Sequence, residues 1–93
     1  MSRPADNDRP YLPCGVRLRW CAVRNGWFLL APERALKLGA TGAAILRALD
    51  GERSFTAISA GLAEEFAAPP EQVAADARAF LAQLMDRRMV EVA

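Results

Sequence analysis

The sequence predicts an α+β domain of winged helix-turn-helix-like architecture, a three-stranded antiparallel sheet followed by three helices. Three observations point there. Apolar and polar residues alternate along 16–22 and again along 35–38, the period of half-buried strands. An Asn25-Gly26 pair follows the first of these runs, and Asn-Gly tolerates the positive φ angles of a tight hairpin turn. From residue 41 onward the apolar spacing changes to three and four, the signature of amphipathic helices. Ninety-three residues suffice for one core, and nineteen alanines among the 53% hydrophobic residues make that core lean.

Residues 1–13 hold Pro4, Pro10 and Pro13 among mixed charges and read as a flexible arm ahead of a single domain over 14–93. Residues 16–31 read as the hairpin. A two-residue Asn25-Gly26 loop sets Arg24 opposite Trp27, Ala22 opposite Leu29 and Trp20 opposite Ala31, with Leu18, Trp20, Trp27 and Leu29 on one face. Pro32 cannot donate to a ladder and ends the second strand. Ala35–Leu38 alternates again and, being short and followed by Gly39, belongs at a sheet edge.

Thr41 is the expected N-cap of a first helix over Gly42–Leu49, with Ile45, Leu46 and Leu49 inward and Asp50-Gly51 ending it. Ser54 caps a second helix whose stripe is Phe55, Ile58, Leu62 and Phe66. Gly61 within it suggests a close helix crossing. Pro70 suits the first turn of a third helix, Glu71 favours its dipole, and Val73, Ala77, Phe80, Leu81 and Leu84 form its apolar stripe. Met89–Val92 reads as one more strand or a packed extension.

Composition narrows the function. The chain has no histidine and two cysteines, Cys14 and Cys21, which removes Ser-His-Asp and Cys-His catalysis and leaves too few thiols for a zinc site. The carboxylates Glu33, Asp50, Glu64, Glu65 and Asp76 form no acid/base or metal-ligand pattern, so no catalytic residue, metal or cofactor is assigned. Gly39-Ala40-Thr41-Gly42 lacks the lysine of a phosphate loop. No apolar run reaches the roughly 18 residues of a membrane span, and the polar start holds no signal core, so the expected location is the cytoplasm. A redox role for the two cysteines is a third-ranked reading, with Arg17 and Arg19 close enough in sequence to activate a thiol.

Net charge is +1, yet residues 1–37 carry seven Lys/Arg against three Asp/Glu, while residues 38–93 carry five against eight. A helix-turn-helix of this order would place its third helix in a major groove. That helix begins with Glu71 and Asp76 among alanines, which repels phosphate. A winged-helix nucleic-acid module is therefore the alternative reading. The better candidate is the edge strand Ala35–Leu38, whose unpaired backbone can template a guest strand. About four or five backbone hydrogen bonds at roughly 0.5–1.5 kcal/mol each supply about 2–7 kcal/mol. Micromolar affinity needs about 8 kcal/mol, so side-chain pockets must add the rest. Leu36 is expected to offer both an N–H donor and a pocket wall.

Val16-Arg17-Leu18-Arg19, Leu29-Leu30-Ala31-Pro32-Glu33-Arg34, Leu36-Lys37-Leu38 and Ile45-Leu46-Arg47-Ala48-Leu49-Asp50-Gly51 together resemble the pyrroloquinoline quinone biosynthesis protein D (PqqD) family. Ile58, Leu62, Asp76, Leu81, Leu84 and Met89-Val90-Glu91 fit the same pattern, so the resemblance spans residues 11–92. It implies a peptide chaperone and not an enzyme. Such a protein binds a ribosomal precursor peptide (PqqA) and presents it to a radical S-adenosylmethionine enzyme (PqqE), which cross-links a glutamate and a tyrosine. As in related precursor-peptide recognition elements, the resemblance implies a peptide cleft between the third strand and the third helix. Carried onto this sequence, the cleft comprises Arg34, Ala35, Leu36, Lys37 and Leu38 on the strand and Val73, Asp76, Ala77 and Phe80 on the helix. Gly39 stands where the family pattern has Asn, and Ala77 where it has Val, which would widen the cleft. A monomer or homodimer, with no nucleic-acid or membrane partner, is expected.

Overall fold

The computed structural model describes residues 4–93. Its elements are β1 (Pro10–Tyr11), β2 (Arg17–Cys21), β3 (Gly26–Ala31), β4 (Arg34–Leu38), α1 (Ala40–Arg47), α2 (Phe55–Phe66), α3 (Pro70–Asp86) and β5 (Glu91–Val92). The three-stranded antiparallel sheet has the order β2-β3-β4, and β1 and β5 form a separate two-stranded antiparallel ladder. The α+β architecture read from the sequence is therefore present. Leu29 and Leu38 from the sheet, Ile45 and Leu46 from α1, Phe55, Ile58 and Leu62 from α2, and Leu81 and Leu84 from α3 share one buried core with Met89 and Val90.

The hairpin forms in a different register. Trp20 pairs with Trp27, Leu18 with Leu29 and Cys21 with Gly26, so four residues, 22–25, make the loop. Asn25 still takes the left-handed conformation, at φ 51°. The slide is by an even number of residues, so every side chain keeps its face. Its physical reason lies in the pairs gained. The Trp20 and Trp27 rings meet edge-on at 5.6 Å, and Leu18 lies against Leu29, where the tight loop would have set Arg24 against Trp27.

Three helical details also differ. α1 starts two residues early, with Gly39 as an N-cap that offers no side-chain bond, because the chain turns directly from β4 into the helix. Ser54 does cap α2, accepting from the Ala57 amide at 3.2 Å. Phe66, at the far end of that helix, is exposed, and Gly61 faces open space, so no close crossing explains it. α2 ends at Ala67 in the left-handed region, φ 50°, with Ala68 N–H reaching back to the Ala63 carbonyl.

Residues 4–13 differ most from the expected arm, of which residues 1–3 lie outside the described part. Pro4 and Pro10 are buried, and Pro10 and Tyr11 pair with Val92 and Glu91. The Phe55 amide donates to the Asp8 carbonyl at 2.7 Å and the Thr56 amide to that of Asp6 at 3.2 Å. Arg78 of α3 donates to the Pro4 carbonyl at 3.0 Å, pairs with the Asp6 carboxylate and lies over the Phe55 ring. These prolines and charges are partners of the body of the domain. The Tyr11 phenol donates to Glu91 at 3.0 Å, and that carboxylate raises its pKa above the ordinary phenol value.

Asp50 organises the turn after α1. Its carboxylate accepts from the Arg53 and Glu52 amides, each at 2.9 Å, and these bonds, Arg53's first, hold its pKa below the usual carboxylate value. Gly51 takes φ 74° in that turn, three residues beyond the Ala48 C-cap of α1.

Candidate peptide-binding cleft between β4 and α3

β4 owes its existence to the Pro32-Glu33 loop. Ala31 pairs with Arg34 across these two residues, and Glu33 takes φ 63° to close them. A two-residue loop closes on a hydrogen-bonded pair, and such pairs alternate along an antiparallel ladder. Arg34, Leu36 and Leu38 thus turn their amides and carbonyls to β3. Ala35 and Lys37 turn theirs to the other side, where β4 is the last strand of its sheet. The free edge therefore presents two N–H and two C=O groups, an alternation that corrects the expectation for Leu36. Its N–H is committed to β3, and only its side chain faces the cleft.

Side-chain parity adds direction. Leu36 and Leu38 share the inner face with Leu29 and Trp27, and Lys37 lies on the outer face, paired with Phe28. Beside the inner face runs a cavity of about 420 Å³, lined by Leu36, Leu38, Thr41, Asp76, Phe80 and Arg87 among others. It shares Leu36 and Arg87 with a hollow of about 430 Å³ that is also bounded by Glu33, Arg34, Ala35 and Met89. It also shares Thr41, Ile45 and Asp76 with a more apolar hollow of about 300 Å³, which adds Phe66 and Val73. The three make one track along β4 and past the α3 surface.

Of the nine residues expected here, eight border this track: Arg34, Ala35, Leu36, Lys37 and Leu38 on β4, and Val73, Asp76 and Phe80 on α3. Val73 reaches only the distal hollow. Ala77 is the exception. It is 0% exposed and faces the core, one helical position round from Asp76 and turned away from the track. Its small size cannot widen the cleft. Gln83 and Arg87 were legible and missed, since 76, 80, 83 and 87 follow helical spacing along one face of α3. Gly42 carried no such signal. A Cβ there would sit 3.1 Å from the Phe80 ring, so the glycine lets α1 press against Phe80 and seats that ring in the cleft wall.

Charge is distributed unevenly round the cleft. Lys37, Arg34 and Arg87 stand along the strand side and the β4 start, and Asp76 stands on the α3 wall. Neither ion pair recorded among the described residues, Arg53–Asp50 and Arg78–Asp6, involves them. Among the described residues no group of three His, Cys, Asp or Glu could hold a metal ion, and no helix is long and apolar enough to cross a membrane. Cys14 and Cys21 are both free thiols. Another hollow, between α1 and α2 around Gly61, lies away from the open edge of β4.

Comparison with known proteins places this geometry. The family model for coenzyme PQQ synthesis protein D (PqqD) matches residues 26–90. A protein of Rhizobium meliloti named PqqA binding protein is 49% identical over 78 residues, covering 84% of this chain and 80% of its own. The bifunctional coenzyme PQQ synthesis protein C/D of Methylorubrum extorquens is 40% identical over 91% of this chain, which spans 23% of that longer protein. Among solved structures, the solution structure of the PqqD truncation of Methylobacterium extorquens PqqCD superposes with a TM-score of 0.82 at 39% identity, covering 95% and 94% of the two chains. It is described as a stand-alone RiPP recognition element. The crystal structure of PqqD from Xanthomonas campestris gives 0.59 at 33% identity, covering 84% of this chain and 87% of its own. With the matched segment running from the hairpin to the residues just before β5, the chain belongs to the PqqD family.

Proposed function

We propose that this protein is a non-catalytic adaptor that binds the ribosomal precursor peptide of pyrroloquinoline quinone biosynthesis by adding it as a fourth strand on β4. The observation that carries the reading is the open edge of β4 beside a cleft walled by Leu36, Leu38 and Phe80. Relatives named PqqA binding protein and a structural neighbour described as a RiPP recognition element support the same reading. Backbone pairing supplies affinity that is independent of sequence, and the apolar wall supplies selection. Asp76 stands where it can accept a hydrogen bond from a guest amide or side chain. The adaptor then tethers its guest near the radical S-adenosylmethionine enzyme in the cytoplasm, raising the peptide's effective concentration without chemistry of its own.

The test is titration of the synthetic precursor peptide into the wild type and into Ala35→Pro. Proline at this exposed edge position removes one free N–H and leaves the β3 ladder whole. The adaptor reading expects saturable binding to the wild type and at least a tenfold loss in the variant, with an unchanged circular dichroism spectrum. Equal binding to both would remove β4 as the site. A preference for duplex DNA at low salt, with no response to the peptide, would restore the nucleic-acid reading.

A further inference from the structure

We infer that the guest strand is read by a five-residue code, apolar–acidic–apolar–any–acidic from its N to its C terminus. This rests on the strand-addition reading above and specifies the peptide class that site accepts. A residue added opposite position i of an edge strand shares the face of residue i. Residues opposite Leu38 and Leu36 therefore enter the cleft, against Phe80. Those positions are the non-hydrogen-bonded pairs of the new ladder, where side chains approach most closely. They favour apolar groups, and an acid there would face Asp76.

The residue opposite Lys37 emerges on the outer face instead. There Lys37 pairs with Phe28, which pairs with Arg19, while Arg24 lies over the Phe28 ring at 5.5 Å. Lys37 Cε comes within 3.5 Å of the Cβ position of Gly26, which lays its chain across this face. The outward residues of β2–β4 are Arg17, Arg19, Cys21, Gly26, Phe28, Leu30, Ala35 and Lys37, cationic and without an acid. An acidic guest residue completes that row. Ala35 offers neither charge nor pocket, so its partner is unrestricted. At the β4 start, Arg34 and Arg87 outnumber Glu33, which favours a second acid opposite Arg34. Antiparallel pairing, the more stable arrangement per residue, fixes the reading direction.

Three Gly/Ser-flanked peptides of one composition test the code by amide-shift titration: Leu-Glu-Leu-Ser-Glu, the rearranged Glu-Leu-Ser-Leu-Glu, and the scramble Leu-Leu-Glu-Glu-Ser. The first should bind at least tenfold tighter than the other two. Replacing its first Glu by Lys should cost most of that advantage against the wild type and restore it against Lys37→Glu. Binding of all three within twofold, or none of them binding, while the whole precursor still shifts the β4 amides, overturns the code and leaves the site standing. If the precursor shifts no β4 amide, the site falls and the code with it.

Discussion

The β1–β5 ladder and the outer side of β4 meet opposite fates. At β1–β5 two two-residue strands pair with each other, and Ala93 N–H extends the ladder to the Arg9 carbonyl at 2.9 Å. At β4 a five-residue strand keeps one side unpaired. The hydrogen-bond chemistry is the same, and what differs is the surroundings. The first ladder ties the two ends of the domain together, with Arg78 holding Pro4 and Asp6 ahead of it, whereas the second borders a cleft shaped by Gly42 and Phe80. The difference teaches that the same donors close the fold in one place and stay unspent along the outer side of β4 in the other, the feature on which the proposed function rests.

Removing residues 1–11 attacks the closed ladder and should give the largest stability effect. It deletes the amide bonds to Asp6 and Asp8, the Arg78 contacts and the buried Pro4 and Pro10. After the ordering entropy of those residues is returned, a loss of roughly 2–4 kcal/mol in urea unfolding is expected. Peptide affinity, measured where the truncated domain is still folded, should change less than threefold, because β4 is untouched.

Phe80→Ala attacks the open edge's wall. Because the ring is only partly buried, the stability loss should be about 1–2 kcal/mol, below that of a full core truncation. Peptide affinity should fall tenfold or more by calorimetry. Gly42→Ala sharpens the point, since its new methyl group would push the Phe80 ring without deleting it; its effect on affinity should be smaller and of the same sign.

Lys37→Glu should leave the melting temperature unchanged and slow association with an acidic peptide several-fold at low ionic strength, an effect that fades as salt screens it. An unchanged on-rate in stopped flow would remove Lys37 from guest selection.

pH gives the smallest and most selective signals. Asp50's folded pKa lies below its unfolded value, so its contribution is present at neutral pH and is lost as pH falls through that lowered pKa. Tyr11's folded pKa is raised, so its contribution is complete below the ordinary phenol value and is lost as pH climbs through the raised one. Asp50→Asn should flatten the acid limb of a stability-versus-pH curve and Tyr11→Phe the alkaline limb. Neither should alter binding at pH 7.

The sequence disclosed whatever repeats with a period. Alternation located β4 to within one residue, Ala35–Leu38 against Arg34–Leu38, and helical spacing placed α2, α3 and most of their inward stripes, Phe66 excepted. Non-local terms stayed hidden. The β1–β5 ladder joins residues about eighty positions apart through strands too short to show alternation, so Pro4, Pro10 and Asp6 read as an arm. The hairpin register was decided by a Trp20–Trp27 pair that outweighed a favourable turn signal. In the cleft, Ala77 was misplaced because Asp76, its neighbour, faces outward while Ala77 itself faces the core, and neighbouring positions on a helix point about 100° apart.

Residue-resolved amide exchange of the protein, with and without the precursor peptide, tests the claim at its centre. Leu36 and Leu38 amides, bonded to β3, should be protected in both states. Ala35 and Lys37 amides should exchange freely alone and become protected in the complex. Saturating peptide that leaves Ala35 and Lys37 exchanging as fast as before would contradict strand addition on β4.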